Sequence, residues 1–152
     1  MRTRAESPEF ELVHFVEGFV DGVLNGTADF QGAPHHFVLC AAAPNRAEVY
    51  RLTPLSVEAF GAVTEAWEIW RRWERAQRDA PNHPAQLLAA LPEDRERQAE
   101  LRGFISNWLA AAESRAFLAE GDFQQVSDDA GQHSLRVRWN PLDVPSGHLT
   151  TD

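Results

Sequence analysis

The middle of the chain has the spacing of apolar residues that is typical of an amphipathic α-helix. Seven apolar residues share one half of a helical wheel: Ala62, Val63, Ala66, Trp67, Ile69, Trp70 and Trp73. Five charged residues occupy the other half: Glu65, Glu68, Arg71, Arg72 and Arg75. Thr53 and Pro54 have the pattern of an N-cap followed by proline at the first helical position. Pro81 disfavours helical geometry just before it, so a long helix is predicted to end near residue 79.

A second amphipathic helix is predicted after Leu91 and Pro92, because Glu93 and Asp94 are acidic residues suited to a first helical turn. Its apolar stripe consists of Leu101, Phe104, Ile105, Trp108, Leu109, Ala112 and Ala116. A short apolar helix is expected before it, over residues 84–91. Two helices with apolar faces need a surface to cover, and a β-sheet is the surface we expect.

Near the C-terminus, residues 134–139 alternate strictly between apolar and charged positions, which predicts a strand with one buried face. Arg136 and Arg138 lie on the face predicted to be exposed to solvent. Residues 122–127 and the turn-rich stretch 128–132 predict the other arm of a hairpin.

Residues 10–24 are ambiguous, since their apolar positions also fit one face of a helix. Gly18 and Gly22 would each cost about 1 kcal/mol relative to alanine inside a helix, and valine and phenylalanine favour strands. We therefore predict one or two bent strands here, with the glycines at β-bulges.

Two further signals complete the N-terminal part. Asn25 and Gly26 form the dipeptide most typical of a hairpin turn. Residues 32–34 predict a second turn, and residues 35–42 and 48–53 predict strands.

These elements predict an α+β fold of two layers. An antiparallel sheet, made of an N-terminal meander and a C-terminal hairpin, would pack against two long amphipathic helices. The 152 residues suit a single domain, with residues 1–8 and 141–152 as loose termini.

Composition excludes several classes of function. The 14 basic residues are all arginine, so mechanisms that need a P-loop lysine or a Schiff-base lysine are excluded. The net charge is −9, and residues 1–54 and 120–152 together hold 13 acidic residues and 6 arginines. The chain lacks the basic stripe that duplex nucleic acid would require.

The single cysteine, Cys40, excludes an intrachain disulfide and a cysteine-rich zinc site, and it favours a reducing cytoplasmic location. The longest apolar run, residues 37–43, is far shorter than the roughly 18 residues of a membrane span. We therefore predict a cytoplasmic protein that does not enter membranes.

The richest cluster of reactive side chains is His35, His36 and Cys40. On a strand, His36 and Cys40 would share a face, and imidazole and thiolate are both metal ligands. A metal site there would need two further ligands. The structural interpretation is a hydrogen-bonded histidine and a core cysteine, with His35 on the opposite face as a candidate contact for a ligand or partner.

Three other features are weaker candidates for contact with a ligand or partner. Trp67 and Trp70 could form part of an aromatic site, although their place on the apolar helical face favours core packing. Asp128 and Asp129 are adjacent carboxylates, but acidic residues are ordinary in turns. No catalytic residue and no cofactor is assigned.

The chain carries none of the local motifs of hydrolases, nucleotide-binding proteins or zinc proteases. We therefore expect a non-catalytic protein-binding module, comparable in type to immunity proteins or phage accessory proteins that mask, inhibit or adapt a partner. The net charge favours a basic protein partner. One alternative is a small metal- or histidine-dependent enzyme using His35, His36 and Cys40. A second is a small-ligand binder with an aromatic pocket among Trp67, Trp70 and Trp108, and homo-oligomerisation through exposed strand edges is left open.

Overall fold

A computed structural model describes residues 9–19, 22–41, 48–79, 90–127 and 133–142 of the protein. The chain divides into two compact units, one formed by Met1–Pro54 with Arg115–Asp152 and the other by Leu55–Ser114. The described part of the first unit is almost entirely β-strand, and that of the second is mainly α-helix. That the whole chain acts as a single domain stays a prediction.

The first unit contains the described strands of the protein. They are β1 (Glu11–Phe19), β2 (Val23–Phe30), β3 (Ala33–Ala41), β4 (Glu48–Pro54), β5 (Phe117–Ser127) and β6 (His133–Pro141). The second unit contains α1 (Val57–Asp79) and α2 (Arg95–Ala111), with single 3₁₀ turns at Pro92–Asp94 and Glu113–Arg115.

The six strands form a closed antiparallel barrel in chain order. Closure comes from the pairing of β1 with β6, where Glu11 lies opposite Val137 and Leu12 lies opposite Arg136. In a closed sheet the apolar faces of the strands line the interior and pack against one another. The predicted two-layer α+β fold, with an antiparallel sheet packed against two long helices, is therefore wrong. Alternation along a strand indicates that one face is buried, but it does not indicate whether helices or other strands bury it.

The strand interpretation of residues 10–24 is confirmed by β1 and the start of β2. The register between these strands shifts on both sides of Gly18, as expected for an irregular, bent strand. Gly22 lies between the two strands and has a φ of 143°, which favours glycine.

The predicted turn at Asn25 and Gly26 is wrong, because both residues lie inside β2. Gly26 is needed there for a different reason. A Cβ at this position would collide with the backbone carbonyl oxygen of Phe15 on the neighbouring strand. The residue that suggested a turn therefore permits close approach of two strands.

The turn between β2 and β3 is formed by Gln31 and Gly32, with φ values of 54° and 81°. Positive φ at both positions is the geometry of a two-residue hairpin turn. The carboxylate of Glu11 accepts hydrogen bonds from both backbone N–H groups, each at 2.9 Å. This contact fixes the turn to the start of β1.

The strands predicted at residues 35–42 and 48–53 are confirmed as β3 and β4, with their ends displaced by one or two residues. Since β4 continues through Pro54, the first long helix does not begin at Thr53. Instead, the hydroxyl of Ser56 accepts a hydrogen bond from the backbone N–H of Ala59 at 3.0 Å, as an N-cap does.

Both long helices are confirmed, and they pack against each other within the second unit. The second helix ends at Ala111, so Ala112 and Ala116 of its predicted stripe lie beyond its end. The buried stripe of α1 consists of Ala59, Ala62, Val63, Ala66 and Ile69. The buried Gln98 of α2 donates a hydrogen bond to the carbonyl of Ala66 at 3.2 Å. Arg97 forms a bidentate ion pair with Glu65 at 2.8 Å, which lowers the pKa of that carboxyl. None of the described helices combines the length and apolarity needed to cross a membrane.

The described interior of the barrel is filled with aromatic rings. Phe37, Tyr50, Phe123 and Trp139 contact one another with ring centroids 5.3–5.8 Å apart. The Tyr50 hydroxyl donates to the carbonyl of Val23 at 2.8 Å, so burial and this hydrogen bond hold the ring in place. These rings leave the barrel with a packed core.

Several predicted segments lie outside the described residues. They are the turn at residues 128–132, the terminus at residues 1–8, most of the short helix predicted over residues 84–91 and most of the loose terminus predicted over residues 141–152. Of that helix only residues 90 and 91 are described, and they are not helical. Pro141 is the last residue of β6, and the backbone N–H of Leu142 donates to the carbonyl of Leu118 at 3.0 Å.

Candidate functional site

His35 and His36 lie on opposite faces of β3, as the strand period requires. His35 is buried, and its ring packs edge-on against Phe30 and Phe117 at centroid distances of 5.5 and 5.8 Å. Its Nδ1 lies 2.8 Å from the carbonyl oxygen of Ala33. Desolvation by burial lowers the pKa of His35. These contacts give His35 a packing role.

His36 lies opposite Thr27 of β2 and Thr53 of β4, in a cross-strand row whose two threonines are buried. Burial lowers the pKa of His36 to about 4. The imidazole is therefore neutral at pH 7. Within the described residues, the Thr27 hydroxyl of this row has no hydrogen-bond partner.

The interpretation of Cys40 as a core cysteine is wrong, because its side chain is exposed. Its Sγ lies 3.7 Å from the carbonyl oxygen of Val38 on its own strand. In the part of the chain that the structure describes, no group of three or more histidine, cysteine or acidic residues could hold a metal ion. The metal site at His36 and Cys40 thus gains no further ligand from these residues and stays a prediction.

Trp67, Trp70 and Trp73 form a ladder along α1 in which each ring is half-buried. The first two rings are stacked, with centroids 5.1 Å apart and an interplanar angle of 21°. The second and third are 6.4 Å apart. Each indole therefore contacts the next one along the helix. Their role as ligand or partner contacts stays a prediction, and Asp128 and Asp129 lie outside the described residues.

A histidine–carboxylate pair that the pattern did not indicate joins β1 to β2. His14 Nε2 lies 2.7 Å from Asp29 Oδ1, and both side chains are about one-fifth exposed. The backbone carbonyl of Asp29 also accepts a hydrogen bond from Trp139 Nε1 at 2.9 Å. Because Asp29 links three strands, these contacts support the barrel wall.

The outer side of the barrel carries a mixed apolar and polar surface where β1, β6 and β5 are neighbours. We call it the arginine face. It consists of Phe10, Leu12, Asp122, Gln124, Val126, Ser134, Arg136 and Arg138. Phe10, Leu12 and Val126 are 37%, 38% and 39% exposed, respectively.

The two arginines of this face have different surroundings. Arg138 forms an ion pair with Asp122 at 3.1 Å, and its guanidinium carbon lies 5.0 Å from the ring centroid of Phe10. Arg136 lies between Leu12 and Gln124 in the strand register and is half-buried. No described residue forms an ion pair or side-chain hydrogen bond with Arg136.

The alternation in β6 already predicted that Arg136 and Arg138 point away from the core. It carried no signal that Phe10 and Leu12 would lie beside them, because β1 is more than 120 residues away in the chain. Only the pairing that closes the barrel brings these residues together.

No protein-family model, curated protein or solved structure matches this chain. The chemistry of the arginine face is suited to binding a group that is both acidic and apolar. A guanidinium can bind a carboxylate through two parallel hydrogen bonds, and the exposed apolar side chains around it can lose contact with water when a partner covers them.

Proposed function

We propose that this chain is a non-catalytic protein-binding module whose partner binds the arginine face. The observation that carries the proposal is the exposure of Leu12 directly opposite Arg136, on a face that also exposes Phe10 and Val126. Exposed apolar side chains bordered by polar groups are typical of protein interaction sites. Arginine and phenylalanine are also enriched at such sites.

The packed barrel interior supports a role for the outer surface. Tyr50 and Phe37 are fully buried, and their rings contact Phe123 and Trp139 in the described core. A barrel that holds a small molecule needs an interior that side chains leave open. The packed interior therefore favours binding of a partner on the outside of the barrel over binding of a small molecule inside it.

The protein would act as an inhibitor or adaptor of its partner in the cytoplasm. Cys40 carries an exposed free thiol, which suits a reducing compartment. Binding alone is sufficient for this role.

The test is affinity capture from the host's own lysate with the full chain, followed by reconstitution with the purified partner. Leu12→Asp places a charge in the arginine face and should abolish capture. Leu118→Asp is the matched control, because Leu118 is similarly exposed (36%) but lies opposite Arg51 on another part of the barrel wall. Circular dichroism establishes that both variants fold.

The proposal predicts one partner that binds the wild type and Leu118→Asp equally and is lost with Leu12→Asp. Capture of the same partner by both variants would show that another surface binds it. Failure to capture any partner at low and moderate salt would remove the proposed function.

A further inference from the structure

We infer that the arginine face binds a segment of a partner protein in which an acidic residue is flanked by apolar ones, with its carboxylate on Arg136. This inference rests on the proposed function. It names the chemistry that the partner must present.

The position of Arg136 makes it the centre of the face. Along the cross-strand row, Leu12 of β1 lies on one side and Gln124 of β5 on the other. Neighbouring strands lie about 4.8 Å apart, so both flanking side chains are within reach of one bound segment. Ser134 and Arg138 are its neighbours on the same side of β6.

Charge complementarity selects the carboxylate. Arg138 already has Asp122 as its ion-pair partner, whereas the guanidinium of Arg136 has none among the described residues. A half-buried guanidinium beside the apolar side chain of Leu12 gains more from a bound carboxylate than a fully solvated one does. A basic segment would leave this charge unpaired and add a second one.

The net charge of −9 favours basic partners only at long range. At physiological salt, interactions between exposed charges are largely screened beyond about 8 Å. Contacts within the face therefore decide which segment binds, and they favour an acidic one.

A polyanion fits this face less well than a protein segment does. Nucleic acid binding requires several cationic side chains that neutralise successive phosphates. Here Asp122 already pairs with one of the two arginines, and Glu120 lies farther along the outer side of β5. A single guanidinium beside Leu12, on a face that also exposes Phe10 and Val126, instead fits one carboxylate in an apolar sequence.

The experiment uses a random library of 12-residue peptides displayed on phage and selected against the full chain. Enriched peptides are then synthesised, and their affinity is measured by fluorescence anisotropy. We expect enrichment of an aspartate or glutamate flanked by apolar residues. Arg136→Gln should weaken binding of these peptides at least tenfold, as expected for loss of a charge-assisted hydrogen bond.

Two controls separate this contact from a general effect of charge. Arg75→Gln removes the same charge from an exposed position on α1 and should leave affinity within twofold. In a second peptide the acidic residue is replaced with its amide. The wild type should bind this peptide more weakly than the acidic one, whereas Arg136→Gln should bind both peptides equally, because the carboxylate and the guanidinium act as a pair.

Enrichment of basic peptides, no enrichment, or equal affinity for the wild type and Arg136→Gln would overturn the inference. So would a dimer, seen by light scattering, that Arg136→Gln converts to a monomer, because the occupant would then be a second copy. A cellular partner that is lost with Leu12→Asp but unaffected by Arg136→Gln would leave the proposed function standing and remove only the carboxylate contact.

Discussion

Burial of His36 should hold its imidazole neutral well below pH 6. Its pKa falls from the ordinary value of 6.5 to about 4. Desolvation is the cause, and the neighbouring Thr27 and Thr53 in its row are buried as well. A shift of this size corresponds to about 3 kcal/mol of difference between the two protonation states.

The sign of the effect on stability follows from which state binds the proton. Above pH 6.5 the imidazole is neutral in both the folded and the unfolded chain, so it causes no pH dependence. Between pH 6.5 and 4 the unfolded chain binds a proton that the folded chain does not. The free energy of unfolding therefore decreases as pH falls through this window. The lowered pKa of His35 acts in the same direction.

The assay is urea unfolding of the wild type and His36→Gln at several pH values from 7.5 to 4.5. Carboxylates titrate in both proteins and their contribution cancels in the difference. By pH 5 the wild type should have lost about 2 kcal/mol more than the variant, since 1.5 pH units separate this pH from the unfolded pKa. An NMR titration of the imidazole gives the midpoint directly.

A His36 midpoint at pH 6 or above would refute this reasoning, because it would show a solvated imidazole. A stability difference between the two proteins that does not change with pH would do the same. If His36→Gln does not fold, the NMR titration of the wild type still decides the question.

Four further predictions concern packing and hydrogen bonding. Gly121→Ala would place a methyl group 2.7 Å from a buried indole and 3.0 Å from Tyr50 Cδ1, so it should lower the free energy of unfolding in urea by about 1–3 kcal/mol. In Gly103→Ala on α2 the new methyl group meets open space, so the free energy of unfolding should rise by about 0.5–1 kcal/mol. A Gly103→Ala variant less stable than Gly121→Ala would contradict the described packing. Tyr50→Phe removes a buried 2.8 Å hydrogen bond and should cost about 1–3 kcal/mol, whereas unchanged stability would show that this bond is not formed. The stacked rings of Trp67 and Trp70 should give an exciton couplet in circular dichroism that disappears in Trp70→Phe while helix content is retained, and a wild type without the couplet would exclude the stacking.

The parts of the fold that could be predicted are those whose signal is local. The helical spacing around Ala66 and the alternation around Val137 each lie within one element, and both residues are buried in the structure. Helix ends depend on single residues and are harder to predict. The sequence predicts that the first helix begins at Pro54, but it begins three residues later, at Val57. The fold class depends on a pairing between the two ends of the chain, for which the sequence has no local signal.

The failed turn at Asn25 and Gly26 has a related cause. Turn propensity reflects the need for positive φ, and a close approach of two backbones selects glycine equally well. The turn between β2 and β3 begins one residue before the turn predicted at residues 32–34. Besides Gly32 it uses Gln31 at positive φ, which a residue preference would not favour, and Glu11 at the start of β1 stabilises it. Tertiary contacts therefore override local preference at both positions.

The candidate surface could be predicted only in part, and the difference between its arginines shows why. Arg136 and Arg138 are equivalent in the pattern of β6, since both alternate with buried residues. In the structure, the guanidinium of Arg138 forms an ion pair with Asp122 and contacts the ring of Phe10. An exposed ion pair of this kind contributes at most about 1 kcal/mol, so it needs no function beyond the barrel itself. Within the described residues Arg136 has no such partner, and it stands beside the exposed side chain of Leu12. An unpaired surface arginine is ordinary by itself, but an unpaired arginine beside an exposed leucine, on a face that also exposes Phe10 and Val126, has the combination of charge and apolar area that a binding site requires.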